Sequence, residues 1–231
     1  MEIYKNNRFV ILNNILKSLV VFAICVMPVL ALAQPESCEV KFTASAPTIK
    51  DYAKAYCSQF EQGSFERQAL AAFIKGNSNK CVVDVKNGYA KYAVGQDGII
   101  ETLEMCFWNC DNKNEKLVAV NRVSENGRVV ESFLKFYRYN VKTKVMRHIE
   151  PPFTSDIQLT DMVDLSAASD EIVDQVRNAG NEDANKYAPV FTLPRYGKDI
   201  TFRMADTNAI QPLMQRTCTL IWDGSTFSID R

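Results

Sequence analysis

Four Asx-Gly pairs, Asn87-Gly88, Asp97-Gly98, Asn126-Gly127 and Asp223-Gly224, break this 231-residue chain at points flanked by apolar, β-branched and aromatic runs. Asx-Gly is the strongest short-range hairpin signal, because both central residues of a type I′ turn take positive φ. The runs between the turns are CVVDV (81–85), YAKYAV (89–94), IIETLEMCFWN (99–109), KLVAVNRV (116–123), RVVESFLKFYRYN (128–140) and KVMRHI (144–149). Short turns join strands that pair directly, so the region from 80 to 149 is predicted to be an antiparallel meander, closed by Pro151-Pro152. Strand-like runs return at VFTL (190–193), DITFRM (199–204), CTLIW (218–222) and TFSID (226–230).

Ahead of the meander the periodicity is helical. Thr48 and Asp51 form a helix-start pair, and Ile49, Ala53, Tyr56 and Phe60 recur on one face. Gly63 stops that helix, Ser64 caps the next, Phe65, Ala69, Ala72 and Phe73 make its apolar stripe, and Gly76 ends it. A helical hairpin is therefore expected over 48–76, and a short helix over 169–179 around Ile172, Val173 and Val176. The fold class is α+β: an N-terminal helical hairpin packed on a mostly antiparallel meander, with one short inserted helix.

The N-terminus has the layout of an export signal. Lys5, Arg8 and Lys17 precede an apolar run from Ser18 to Leu30, and Ala31-Leu32-Ala33 offers small residues to a signal peptidase. Pro28 interrupts the run, which is shorter than the roughly 20 residues a membrane span needs. Cleavage is predicted after Ala33, leaving one exported domain, 34–231, with no stable membrane insertion. Removing Lys5, Arg8, Lys17 and Glu2 from 27 basic and 27 acidic residues leaves 24 and 26. Such a balance gives no electrostatic reason to expect nucleic acid as a partner.

Loss of the signal also removes Cys25 and leaves Cys38, Cys57, Cys81, Cys106, Cys110 and Cys218 as structural cysteines. An even number in an exported chain makes disulfides the default expectation. Cys106 and Cys110 lie in MCFWNCDN, whose C-x3-C spacing is similar to that of thioredoxin-like copper chaperones. There the pair precedes a helix, whereas here Cys110 leads into polar residues and a second strand. As strand residues the two would stand about 13 Å apart at roughly 3.3 Å per residue, beyond the roughly 7 Å limit of a disulfide. Each then has another partner or none, with Cys81 and Cys218, both opening predicted strands, as the candidate partners. Cys106, Trp108 and Cys110 should share one face, with Met105 and Phe107 on the other.

Motifs for catalysis fail on inspection. Gly76-Asn-Ser-Asn-Lys80 lacks the second glycine of a nucleophile elbow, and Ser132-Phe-Leu-Lys135 falls mid-strand, where its serine and lysine point to opposite faces. His148 is the only histidine and sits at a strand end. No catalytic residue, metal site or cofactor follows from the sequence. Charge is segregated, however. Lys135, Arg138, Lys142, Lys144 and Arg147 crowd one hairpin, and Glu150, Asp156, Asp161, Asp164, Asp170, Glu171 and Asp174 follow it. The basic residues Arg138, Lys142, Lys144 and Arg147, beside Tyr137 and Tyr139, form the candidate binding surface. The expected function is a non-catalytic binding or interaction protein of the bacterial envelope or extracellular space, with a protein or glycan as partner. The alternative is a hydrolase of an envelope or dietary polymer that uses the acidic cluster.

Overall fold

A computed structural model describes residues 35–127, 129–166, 168–179, 188–205 and 215–230. The proposed signal segment, 1–33, lies outside the described residues, and Pro35–Arg231 forms a compact unit.

Among the described residues, eleven strands make two antiparallel sheets. β1 (Ser37–Glu39), β2 (Cys81–Asp84), β3 (Tyr89–Gln96), β4 (Ile99–Asn109), β5 (Glu115–Glu125), β6 (Val129–Asn140) and β7 (Val145–Ile149) form the larger one. Its order, β1-β7-β6-β5-β4-β3-β2, is a pure meander to which β1 adds at the far edge. β8 (Pro189–Thr192), β9 (Ile200–Met204), β10 (Cys218–Trp222) and β11 (Phe227–Asp230) form a smaller meander of their own. The α+β class is thus seen as two antiparallel sheets with helices α1 (Ile49–Cys57), α2 (Phe65–Lys75) and α3 (Asp170–Ala179). Of the four Asx-Gly turns, only Asp97-Gly98 has positive φ at both residues, 52° and 79°. At Gly88, φ is +68° and an added Cβ would lie 2.7 Å from the Phe107 ring, so both backbone and packing demand glycine there.

Period-two alternation divides the side chains of the large sheet into two cores. On one face Leu103, Met105, Val118, Val120, Tyr137 and Tyr139 are buried with Ile49, Tyr52 and Tyr56 of α1 and Phe65 and Phe73 of α2. Aromatic edges meet there: Tyr52 lies 5.2 Å from both Phe107 and Tyr139, and Tyr56 lies 5.8 Å from Tyr137. The α1 helix starts at a capping box in which Thr48 N–H donates to Asp51 Oδ2 over 2.7 Å. On the opposite face Cys106, Trp108, Leu117, Ala119 and Phe136 are buried against Phe191, Phe202, Trp222 and Phe227 of the small sheet. Trp108 Nε1–H donates to the Lys198 carbonyl at 2.7 Å, so the ring is buried with its polar atom satisfied.

The six cysteines are buried free thiols, which corrects the expectation of disulfides. Cys38, Cys57 and Cys81 belong to the helix-side core; Cys106, Cys110 and Cys218 belong to the other. The sheet separates Cys81 from Cys106 and Cys110, so Cys81 is no partner for either. Each thiol fills core volume as a small apolar group, a use that the parity of cysteine count does not reveal.

Candidate functional site

The basic hairpin does not form the binding surface expected of it. Tyr137 and Tyr139 are fully buried, because in a strand they share the face that α1 covers. Their rings are not available to a glycan. Arg138 points the other way and pairs with Glu115 at 3.1 Å. Arg147 stands opposite Arg138 in the register and is exposed. Lys142 is exposed in the β6–β7 turn, and Lys144 places its ammonium 5.2 Å from the Phe42 ring centre. Arg138 and Arg147 therefore share one face of the sheet, while Lys142 and Lys144 lie in the turn, and the cations are not gathered into one surface.

The acids after the hairpin also diverge. Asp161 is buried at a 3₁₀ turn (Leu159–Asp161), where its carboxylate accepts from Gln158 N–H at 2.9 Å. Asp164 is exposed and held below the usual carboxylate range by hydrogen bonds from Ser166. Asp170, Glu171 and Asp174 lie on exposed positions of α3. His148 is half-buried against Tyr137 and 3.9 Å from Glu36. Burial raises the Cys106 thiol well above its ordinary value, with Glu104 adding to the effect, and it raises Cys110 as well. Raised thiols hold their protons at neutral pH, which opposes both nucleophilic and copper-binding chemistry at this pair.

Two buried charged networks brace the large sheet. Glu104, on the small-sheet face of β4, accepts from Tyr89 Oη–H at 2.9 Å, from Asn121 Nδ2–H at 3.1 Å and from Leu193 N–H at 3.2 Å. Lys91 stands 3.3 Å from the same carboxylate and reaches out to solvent. Asn121 also donates to the Phe191 carbonyl at 2.8 Å, so the pair stitches β8 to the large sheet. On the helix face, Arg122 bonds Glu66 at 3.0 Å and Glu101 at 2.8 Å and lies over the Phe65 ring. Both oxygens of Glu104 accept from protein donors, whereas Glu66 is held through Oε1 and its Oε2 has no partner among the described residues; both side chains are almost fully enclosed. Both networks therefore brace the fold.

A cavity of about 330 Å³ lies beside β6. Leu134, Pro151, Phe153, Ile157, Pro189 and Phe191 give it apolar walls, and Asp156 is its one acid. Ser132 contributes a hydroxyl that is out of reach of solvent and has no hydrogen-bond partner among the described residues. The walls come from three stretches far apart in sequence, which is why no local pattern announces the site.

The strand beside the cavity is unusual in its pairing. β7 covers β6 only from Phe136, opposite Ile149, to Asn140, opposite Val145. After Ile149 the chain leaves the sheet through Pro151-Pro152, and Phe153 bridges to Phe227 of the small sheet. Among the described residues, no strand pairs with Glu131–Lys135 on that side. The direction of the unpaired groups follows from β7. His148 N–H donates toward β1, to the Glu36 carbonyl. Arg147 and Ile149 therefore direct their backbone groups to β6, where Arg138 and Phe136 face them. Alternation then turns the N–H and C=O of Leu134 and Ser132 outward, past the end of β7 and along the rim of the cavity.

In comparison with known proteins, the chain matches no family profile, no curated protein and no solved structure. The site's geometry is accordingly the ground for any functional reading.

Proposed function

We propose that the chain is an exported, non-catalytic interaction protein of the bacterial envelope or extracellular space, which engages a protein partner rather than a glycan. The observation that carries this reading is the conjunction of an unpaired stretch of β6 with an apolar cavity at its side. Backbone groups that point outward accept another extended chain, and an adjoining pocket takes that chain's alternate side chains, which is the physics of strand addition. A glycan site, by contrast, needs exposed aromatic faces and polar donors. The cavity here is walled by aliphatic, proline and phenylalanine carbon with Ser132 and Asp156 as its polar side chains, and the hairpin tyrosines lie in the core. Export rests on the signal layout of residues 1–33 and places the partner outside the cytoplasm.

The test uses residues 34–231 and a Leu134→Arg variant against two panels, extended peptides with alternating apolar side chains and envelope glycans. Peptides should bind the parent chain and lose at least tenfold in affinity to the variant, with glycans bound by neither. Glycan binding that the variant leaves unchanged, without peptide binding, overturns the reading. Export is checked separately by N-terminal sequencing of the protein from the envelope or medium, with Gln34 expected as the first residue.

A further inference from the structure

We infer that the partner for this edge is a second copy of the chain, joined by antiparallel pairing of Glu131–Lys135 with itself. The inference rests on the strand-addition reading above and names its occupant. Among the described residues the unpaired window has five residues, Glu131-Ser132-Phe133-Leu134-Lys135, and both of its ends are set by the fold. Toward the C-terminus, Ile149 takes the position beside Phe136. Toward the N-terminus, the register of β5 and β6 shifts: Ser124 faces Glu131 but Glu125 faces Val129, so the chain bulges at Val130.

Within that window the sequence is self-complementary. With a two-fold axis through Phe133, Glu131 faces Lys135 of the second copy and Lys135 faces its Glu131. Ser132 faces Leu134 of the second copy, and the reverse pair follows by symmetry. Ser132 and Leu134 are the residues whose backbone groups point outward, so each of these pairs exchanges two N–H···O bonds. The Phe133 rings then meet as a non-hydrogen-bonded pair, the arrangement that brings side chains closest. Leu134 and Ser132 of the second copy fall on the cavity face of the sheet, next to Phe153 and Ile157. Sliding the register by one residue on each strand loses this fit. It sets Glu131 against Phe133, or it drives the second copy into β7. Opposite charges at the two ends of one short edge thus specify both the partner and the register.

The experiment is sedimentation equilibrium of residues 34–231 across a wide concentration range, on the parent chain, Glu131→Lys, Lys135→Glu and the double variant, with thermal unfolding as the control for folding. The expected result is a dimer that each single reversal weakens about tenfold or more and that the double reversal restores. A Phe133→Cys variant should form a disulfide-linked dimer under mild oxidation, because its two-fold-related thiols face each other. A parent chain that stays monomeric at all concentrations overturns the self-pairing. If the extended peptides still bind, strand addition survives with a different occupant; if they do not, both readings fail. A dimer that ignores both charge reversals and leaves Phe133→Cys uncrosslinked also overturns the proposal, by placing the interface elsewhere.

Discussion

From Phe136 to Asn140, β6 has β5 on one side and β7 on the other; from Glu131 to Lys135 it keeps β5 and loses β7. The first half is also covered on both faces, with Tyr137 and Tyr139 under the helices and Phe136 under Phe227 at 5.8 Å. In the second half Ser132, Phe133, Leu134 and Lys135 are each only partly buried, and Glu131 is exposed. One strand therefore serves two purposes. Its C-terminal half is core, where substitutions cost stability, while its N-terminal half is rim, where they should cost association. The difference arises because Pro151-Pro152 cannot continue β7 as a paired strand and sends the chain to the small sheet instead.

The largest contrast should come from truncating Phe136. Phe136→Ala is expected to lower stability by about 3–5 kcal/mol, the range for removing a buried aromatic ring, whereas Leu134→Ala should cost about 1 kcal/mol or less at a half-exposed rim position. Urea unfolding of both variants decides this, and equal losses would break the distinction between the halves. Next in size is the network that holds β8 beside the cavity. Glu104→Ala leaves the Tyr89 hydroxyl, an Asn121 donor and the Leu193 N–H without their acceptor. A loss of about 3 kcal/mol is expected for stripping several donors of a buried charged acceptor. Glu104→Gln, which keeps one acceptor oxygen, should recover part of it. A Glu104→Ala chain as stable as the parent would show that the small sheet is held by its apolar contacts alone.

A smaller effect, read by hydrogen exchange, tests the backbone directly. At dilution the amides of Ser132 and Leu134 should exchange far faster than those of Phe136 and Arg138, since only the latter face β7. Raising the concentration should slow the first pair and leave the second unchanged. Protection of Ser132 and Leu134 that does not depend on concentration would mean that the edge is already covered within one chain.

Much of this division is present in the residue pattern. The Asx-Gly pairs and Pro151-Pro152 mark strand ends because turn chemistry is local, and the run from Ile99 to Asn109 appears as β4 with those bounds. Alternation alone places Cys106 and Trp108 on one face and Met105 on the other, as the two cores show. The same rule sets Tyr137 and Tyr139 together and opposite Arg138, so alternation accounts for their burial despite the basic residues beside them. β1 gives no sequence signal, because three residues carry no period. The split into two sheets also lay beyond local pattern, since neither meander's turns say where the other packs. The cavity joins residues 132–134, 151–157 and 188–191, and only tertiary structure brings those together.

The gentlest test concerns the turn that supports the covered half. Asp223 opens the β10–β11 hairpin and accepts from the N–H groups of Ser225 and Thr226, each at 2.8 Å. These bonds, that from Thr226 above all, hold its carboxyl down to about 2. A carboxylate depressed in the folded state contributes its stabilisation in full above the unfolded value of about 4 and loses it as the pH falls through the folded value. Amide exchange at Ser225 and Thr226, corrected for its intrinsic pH dependence, should therefore rise between about pH 4 and pH 2, as the turn that seats Phe227 over Phe136 loosens. Asp223→Asn should remove that pH dependence while leaving an acceptor in place. The protection of Ser132 and Leu134 should be indifferent to this turn, because the small-sheet hairpin bears on the other half of β6. If acid loosens both regions together, the two halves of the strand form one cooperative unit and the division between core and rim is chemical but not mechanical.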